Sequence, residues 1–161
     1  MVQEGEMNRM PEYICVTDLS KVYRRHEAVK HISFQVGKGQ IFAFLGPNGA
    51  GKSTTINILS TLLLKSGGSV CVGGMDLDHQ RKQVKREIGI VFQDDVLDGN
   101  LSVYQNLLYR GGLYIPREKD LKNRISELSS LLALEPILPR KYRECSGGQK
   151  RLAQIARALL P

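Results

Sequence analysis

The stretch Phe42-Ala-Phe-Leu-Gly-Pro-Asn-Gly-Ala-Gly-Lys-Ser-Thr54 constrains this chain more than any other. An apolar run leads into Gly46-x-x-x-x-Gly51-Lys52-Ser53, and a helical pattern follows from Thr54. Strand, glycine-rich turn and helix are the context in which such a loop wraps phosphate groups, the P-loop arrangement. Gly46, Gly49 and Gly51 let backbone N–H groups turn inward and approach an anion closely. Pro47, Asn48 and Ala50 complete the loop, and the helix after it aims unpaired N–H donors and a partial positive charge at the same place. Lys52 reaches towards β- and γ-phosphates, and the Ser53 hydroxyl is an oxygen ligand suited to Mg²⁺. The alternative, a glycine-rich turn with an accidental lysine, needs every position of the motif to fall in register by chance.

A chain of 161 residues suits one domain and is long enough for a sizeable core. Apolar residues make up 42% and charged residues 24%, which argues against wholesale disorder. No apolar run approaches the roughly 18 residues of a membrane helix. The N-terminus lacks the basic and apolar regions of a secretory signal. Cys15, Cys71 and Cys145 show no C-x-x-C spacing, so a disulfide framework and a zinc site are not expected, and a reducing cytosol is the natural compartment. His26, His31 and His79 form no ligand pattern. The formal charge of +7 is compatible with nucleic acid, an anionic membrane surface or phosphate ligands. Its denser basic stretches are Arg81–Arg86, read as a solvated helix face, and Arg140–Arg151.

Taken in order, residues 1–11 read as a flexible tail. Tyr13–Thr17 and Ala28–Val36 alternate like strands, and Gly37-Lys-Gly39 reads as a turn. Gln40–Leu45 and Ile88–Phe92 are continuous apolar runs, expected as strands buried on both faces. A helix is expected from Lys52 to Leu63, with Ile56, Leu59 and Leu63 on its apolar face, ended by Ser66-Gly-Gly68. Ser69–Val72 reads as a short strand, and Asp78–Glu87 as a polar helix that Asp78 could cap. After Gln93 the strand signals vanish. Val103–Leu113 and Arg117–Leu134 read as helices, the second with a stripe of Leu121, Ile125, Leu128 and Leu132. A last amphipathic helix follows Cys145-Ser-Gly-Gly-Gln149, with Leu152, Ile155, Ala156 and Leu159 on its apolar face.

That last motif narrows the reading. Ser146, Gly147 and Gly148 put a hydroxyl and two side-chain-free residues at a helix start, a second place for an anion, although a plain serine cap would look the same locally. The P-loop, Gln93 at the end of an apolar run, and Ser146-Gly147-Gly148-Gln149 together resemble the ATP-binding-cassette (ABC) ATPases, over about residues 12–161. In that family these are the Walker A loop, the Q-loop and the signature motif, whose usual leading leucine is here Cys145. A closer likeness is to ATP-binding subunits of drug exporters of the daunorubicin-resistance type. Its cues are Gly46–Ile56, Val91-Phe-Gln-Asp94 and Asn100-Leu-Ser-Val-Tyr-Gln-Asn-Leu107.

The resemblance implies an α/β fold: a P-loop NTPase core with an N-terminal antiparallel β-subdomain and an inserted helical subdomain. Residues 12–93 would hold the β-subdomain and core, 94–144 the helical subdomain, and 145–161 the signature motif and its helix. It implies ATP and Mg²⁺ as ligands. Gly46–Thr54 would bind the phosphates, Lys52 and Gln93 would act in catalysis, and Ser53 with Gln93 would hold the metal. Tyr23 would stack on adenine, with ordinary packing as its alternative. Ser146, Gly147, Gly148 and Gln149 would face the nucleotide of a second nucleotide-binding domain in a head-to-tail dimer. A membrane permease would be the other partner, at the inner face of the cell membrane, with no nucleic acid. The family's Walker B strand and catalytic glutamate follow the signature helix, so the chain is expected to be C-terminally incomplete and inactive by itself. Asp94 and Asp95 could otherwise stand in as metal ligands in a simpler P-loop kinase. A soluble cassette protein acting on nucleic acid or ribosomes is a further alternative.

Overall fold

The computed structural model describes Glu12–Pro161; the expected tail at residues 1–11 lies outside the described residues. The chain divides into two compact units, the first ending at Glu87 and the second spanning Ile88–Pro161.

The first unit is built on a four-stranded antiparallel sheet in the order β2-β1-β3-β4. Strand β1 (Glu12–Tyr23) and strand β2 (His26–Gly37) form a long hairpin closed at Tyr23↔His26, with Arg24 in the left-handed region at φ 54°. Both strands run further than their alternation suggests. Bulges in β1 interrupt the period of two, as at Asp18, whose φ is 53°. Strand β3 (Gly67–Val72) pairs with β1, and β4 (Met75–Asp76) closes the edge. Gly68 starts a strand instead of ending a helix: a Cβ there would sit 2.3 Å from the Asp18 carbonyl oxygen. Val16, Leu19, Val29, Val36, Val70 and Val72 are buried.

Helix α1 (Lys52–Leu59) is shorter than its sequence pattern, because Thr61 adopts φ 63° and turns the chain. It buries Thr55 and Ile58, whereas Ile56 is exposed. Helix α2 (Arg81–Glu87) also begins late. Asp76, not Asp78, takes the free N–H groups ahead of it, accepting from the Asp78 and His79 amides at 2.9 and 3.0 Å. Asp78 instead pairs with Lys65 at 2.8 Å.

The expected buried strand at Gln40–Leu45 is not observed. The run has no ladder partner among the described residues, and Ile41 and Leu45 are 102% and 91% exposed. A strand buried on both faces exists only with neighbours to pair with. This one instead rests on aromatic contacts. Phe42 stacks on Phe34 of β2 at 5.2 Å between ring centroids, and Phe44 meets both rings edge-on at 5.2 and 5.1 Å.

The second unit is helical. Helices α3 (Val103–Gly111), α4 (Glu118–Leu132) and α5 (Gly147–Ala158) pack around one core that includes Val103, Leu107, Leu121, Ile125, Leu128, Tyr142 and Leu160. Leu121, Ile125 and Leu128 of the expected α4 stripe are buried, as their 3–4 residue spacing requires. On α5 the buried positions are Ala153, Gln154 and Ala156, while Leu159 is 40% exposed. Leu152 packs against the same core while only partly buried. Ile88–Phe92, the other expected strand, is irregular and half-buried. Side chains of α5 take its carbonyls in place of a ladder: Arg157 donates to Ile90, and Arg151 donates to Phe92 at 2.6 Å. Arg157 also lies over the Phe92 ring, 5.7 Å from its centroid.

Candidate nucleotide-binding site

The loop from Gly46 to Gly51 has the conformation its glycines allow. Gly46, Gly49 and Gly51 have φ of 148°, 86° and 81°, values that a side chain at Cβ opposes. Gly51 is held most tightly: a Cβ there would lie 2.3 Å from the Ala28 carbonyl oxygen and 3.3 Å from Val29 Cγ2. The loop is thereby pressed onto the start of β2. Gly51 is also the N-cap of α1, and its hydrogen atom in place of a side chain leaves the first helical N–H groups uncapped. The Lys52 ammonium folds over the loop and donates to the Gly46 and Pro47 carbonyls, 2.6 Å each. Two of its three donors thus sit over the loop, with the charge close to the helix end. Ser53 is exposed in the first turn, and Thr54 beside it is half-buried. A curved row of backbone donors, a lysine and a hydroxyl make a donor set that fits a polyphosphate with its Mg²⁺.

Tyr23 lies at the hairpin end of the same unit, 44% exposed, with the Lys21 ammonium 5.1 Å from its ring centroid.

The signature segment belongs to the second unit. Ser146 is the N-cap of α5 and forms a reciprocal capping box with Gln149. Its Oγ accepts from the Gln149 amide at 3.3 Å, and Gln149 Oε1 accepts from the Ser146 amide at 3.0 Å. Gln149 is thus occupied in holding the helix end. Gly147 and Gly148 are exposed with open space where a Cβ would be. Cys145 is buried in the leucine position of the family pattern, and burial raises its thiol pKa.

Gln93 is exposed and opens the irregular segment that leads to α3. Two residues on, Asp95 carries a cluster that the sequence did not reveal. Its carboxylate accepts from the Tyr142 hydroxyl at 2.7 Å, from Gln154 at 2.9 Å and from Lys150 at 3.0 Å. Gln154 also donates to the Tyr142 oxygen at 3.0 Å. The Tyr142 hydroxyl and then Lys150 hold the Asp95 carboxyl below the usual range, and burial pushes the Tyr142 phenol up to about 12. The cluster ties the Gln93 segment directly to the signature helix. Its partners lie 47 to 59 positions from Asp95, beyond the reach of any local pattern. It engages Asp95, the carboxylate otherwise read as a candidate metal ligand, in three hydrogen bonds to other side chains. Among the described residues no group of three or more His, Cys, Asp or Glu side chains is arranged to hold a metal.

A phosphate loop on an α/β unit, joined to a helical unit carrying Ser-Gly-Gly-Gln, defines a nucleotide-binding protein of the P-loop class. The ABC transporter family model matches residues 29–161, so the chain belongs to that family. It is 37% identical over 143 residues to the linearmycin resistance ATP-binding protein LnrL of Bacillus subtilis, covering 89% of this chain and 46% of that protein. It is 30% identical over 142 residues to the osmoprotective compounds uptake ATP-binding protein GgtA of Synechocystis, covering 88% and 39%. Among solved structures, CbiO1 of Clostridium perfringens, part of an ABC transporter complex, superposes with a TM-score of 0.84 at 28% identity, covering 92% of this chain and 61% of that one. The chain therefore spans about half the length of LnrL, or less in other relatives. No helix among the described residues is long and apolar enough to cross a membrane.

Proposed function

We propose that this chain is the nucleotide-binding part of an ABC exporter subunit that uses ATP to expel a drug or antibiotic. The observation that carries the ATP reading is the uncapped N-terminus of α1, wrapped by three positive-φ glycines with Lys52 folded across them. Lys52 and the loop amides of Gly46–Thr54 hold the β- and γ-phosphates, exchanging the Gly46 and Pro47 carbonyls for phosphate oxygens. Ser53 would supply an oxygen ligand to Mg²⁺, with Gln93 as the second that the family resemblance implies, and the metal would offset phosphate charge. Tyr23 offers its exposed ring to the base. In a head-to-tail pair, the bare Gly147–Gly148 end of α5 and the Ser146 hydroxyl face the γ-phosphate held by the second copy. The Asp95 cluster keeps Gln93 and that helix end in a constant relation, so displacement of one is felt at the other.

The export reading is supported by LnrL, a resistance protein by name; GgtA, named for uptake, marks the other direction. The permease partner and the place at the inner membrane face follow from the same reading. The 161-residue chain is expected to bind nucleotide without turning it over. Calorimetry should show ATP and ADP binding well ahead of AMP in the presence of Mg²⁺, and equal affinity for all three would refute the site. Phosphate release from the purified chain should not exceed that of Lys52→Ala. Robust turnover lost in that variant would return Asp94 or Asp95 to a metal-binding role. Co-expression of a full-length cassette protein that contains this sequence with a candidate permease should lower drug accumulation in cells; unchanged accumulation would leave export unsupported.

A further inference from the structure

We propose that Cys15 and Cys71 form a peroxide-sensitive dithiol that closes to a reversible disulfide across the sheet. The two residues stand directly opposite each other in the antiparallel pairing of β1 and β3. Residues so paired have Cα atoms about 4.5–5.5 Å apart, inside the roughly 4.4–6.8 Å that a disulfide spans. Both thiols are free and half-buried, whereas Cys145 is buried in the other unit. They project from the face opposite Val16, Val70 and Val72, which line the core, so bridging them disturbs no packed side chain.

Their surroundings divide the roles. The Cys15 Sγ donates to Glu12 Oε2 at 3.2 Å, and burial followed by that contact keeps the thiol protonated. With the Cys15 hydrogen committed to Glu12, Cys71 is the thiol assigned to meet the oxidant, and Cys15 resolves it. Cys71 attacks a hydroperoxide oxygen, the O–O bond breaks, and sulfenic acid and water form. Cys15 then attacks the Cys71 sulfur, Glu12 receives its proton, the S–O bond breaks, and the departing hydroxide takes up that proton as a second water. Two thiols and one hydrogen peroxide give one disulfide and two waters. Along the same row Cys71 is paired with Asp76 of β4. Carboxylates on either side favour a small neutral oxidant over an anionic one such as oxidised glutathione. In a reducing compartment the bond is transient. When closed it staples β1, whose end carries Tyr23, to β3.

The test is peptide mapping by mass spectrometry of the native 161-residue chain after graded hydrogen peroxide, with oxidised glutathione as a parallel arm. The expected result is an intramolecular Cys15–Cys71 linked peptide, reversed by dithiothreitol, with Cys145 still free and the glutathione arm slower. In Cys15→Ser the link is lost and Cys71 accumulates as a sulfenic acid that a dione probe traps. In Cys71→Ser that adduct is absent. Circular dichroism of both variants establishes that they are folded. The proposal is overturned if both cysteines stay reduced at peroxide concentrations that oxidise free N-acetylcysteine, if the link involves Cys145 or a second chain, or if glutathione reacts faster than peroxide.

Discussion

The N-termini of α1 and α5, both proposed as anion sites, carry the same backbone groups and are built in opposite ways. At α1 the cap is Gly51 in the left-handed region with no side-chain hydrogen bond. At α5 the cap is Ser146, locked with Gln149 in a capping box. The first leaves its donors for a ligand and depends on loop geometry and the wall at Ala28 for its shape. The second is stable by itself and keeps only its two glycines bare. On the proposed reading a helix end serves an anion through an absent cap or in spite of a complete one, and glycine does different work in each. Gly51 is required by backbone conformation and by space, whereas Gly147 and Gly148 are sterically free.

Glycine replacement separates the two ends most sharply. Gly51→Ala should lower stability by roughly 3 kcal/mol, since it combines a left-handed backbone with a backbone clash. Gly147→Ala should leave stability unchanged or raise it by up to about 1 kcal/mol, because alanine is the better helix former. Urea unfolding of both variants measures the contrast, and equal losses would erase it.

At the ligand level, Lys52→Ala should weaken ATP binding by about ten- to a hundredfold, the worth of roughly 1.5–3 kcal/mol for hydrogen bonds to a charged group. Adenosine binding, read in the same calorimeter, should not change.

Removing the intact cap tests the other end. Ser146→Ala should cost about 1 kcal/mol of stability without altering ATP affinity of the single chain. A loss of affinity instead would place the signature end beside the chain's own nucleotide.

The smallest effect is the pH dependence of the Asp95 cluster. The folded-state pKa of Asp95 lies below its ordinary value of 3.8, so its contribution is complete above that pH and is lost as pH falls through the folded value. Tyr142 has the opposite sign. Its pKa rises from 10.0 to about 12, so its contribution is complete below 10.0 and disappears as pH climbs towards 12. Thermal melts of Asp95→Asn should lack the acid-side component and keep part of the alkaline one. A melting curve with the same acid limb as the wild type would mean that the carboxylate carries none of the cluster's stability.

Much of the site was legible because it is local. Seven positions from Gly46 to Lys52 and four from Ser146 to Gln149 contain their own geometry: the glycines dictate the turn, and the Ser-x-x-Gln spacing closes the capping box. The α4 stripe was legible for the same reason, since a helix pairs each residue with those three and four away. Sheet membership was not. Gln40–Leu45 and Ile88–Phe92 carry the composition of buried strands, but a strand is defined by its partner, and the structure gives the first run aromatic neighbours and the second run arginines. The Asp95 cluster and the Cys15–Cys71 pairing are likewise tertiary facts. Each joins side chains dozens of positions apart, and no periodicity in the sequence records which carboxylate meets which hydroxyl or which thiol faces which. By itself the sequence determined the conformation of the Gly46–Gly51 loop and its uncapped helix end, because that turn is made of consecutive backbone. Only the tertiary structure decided which groups brace Gln93 and the signature helix, because those hydrogen bonds form only once distant segments have packed.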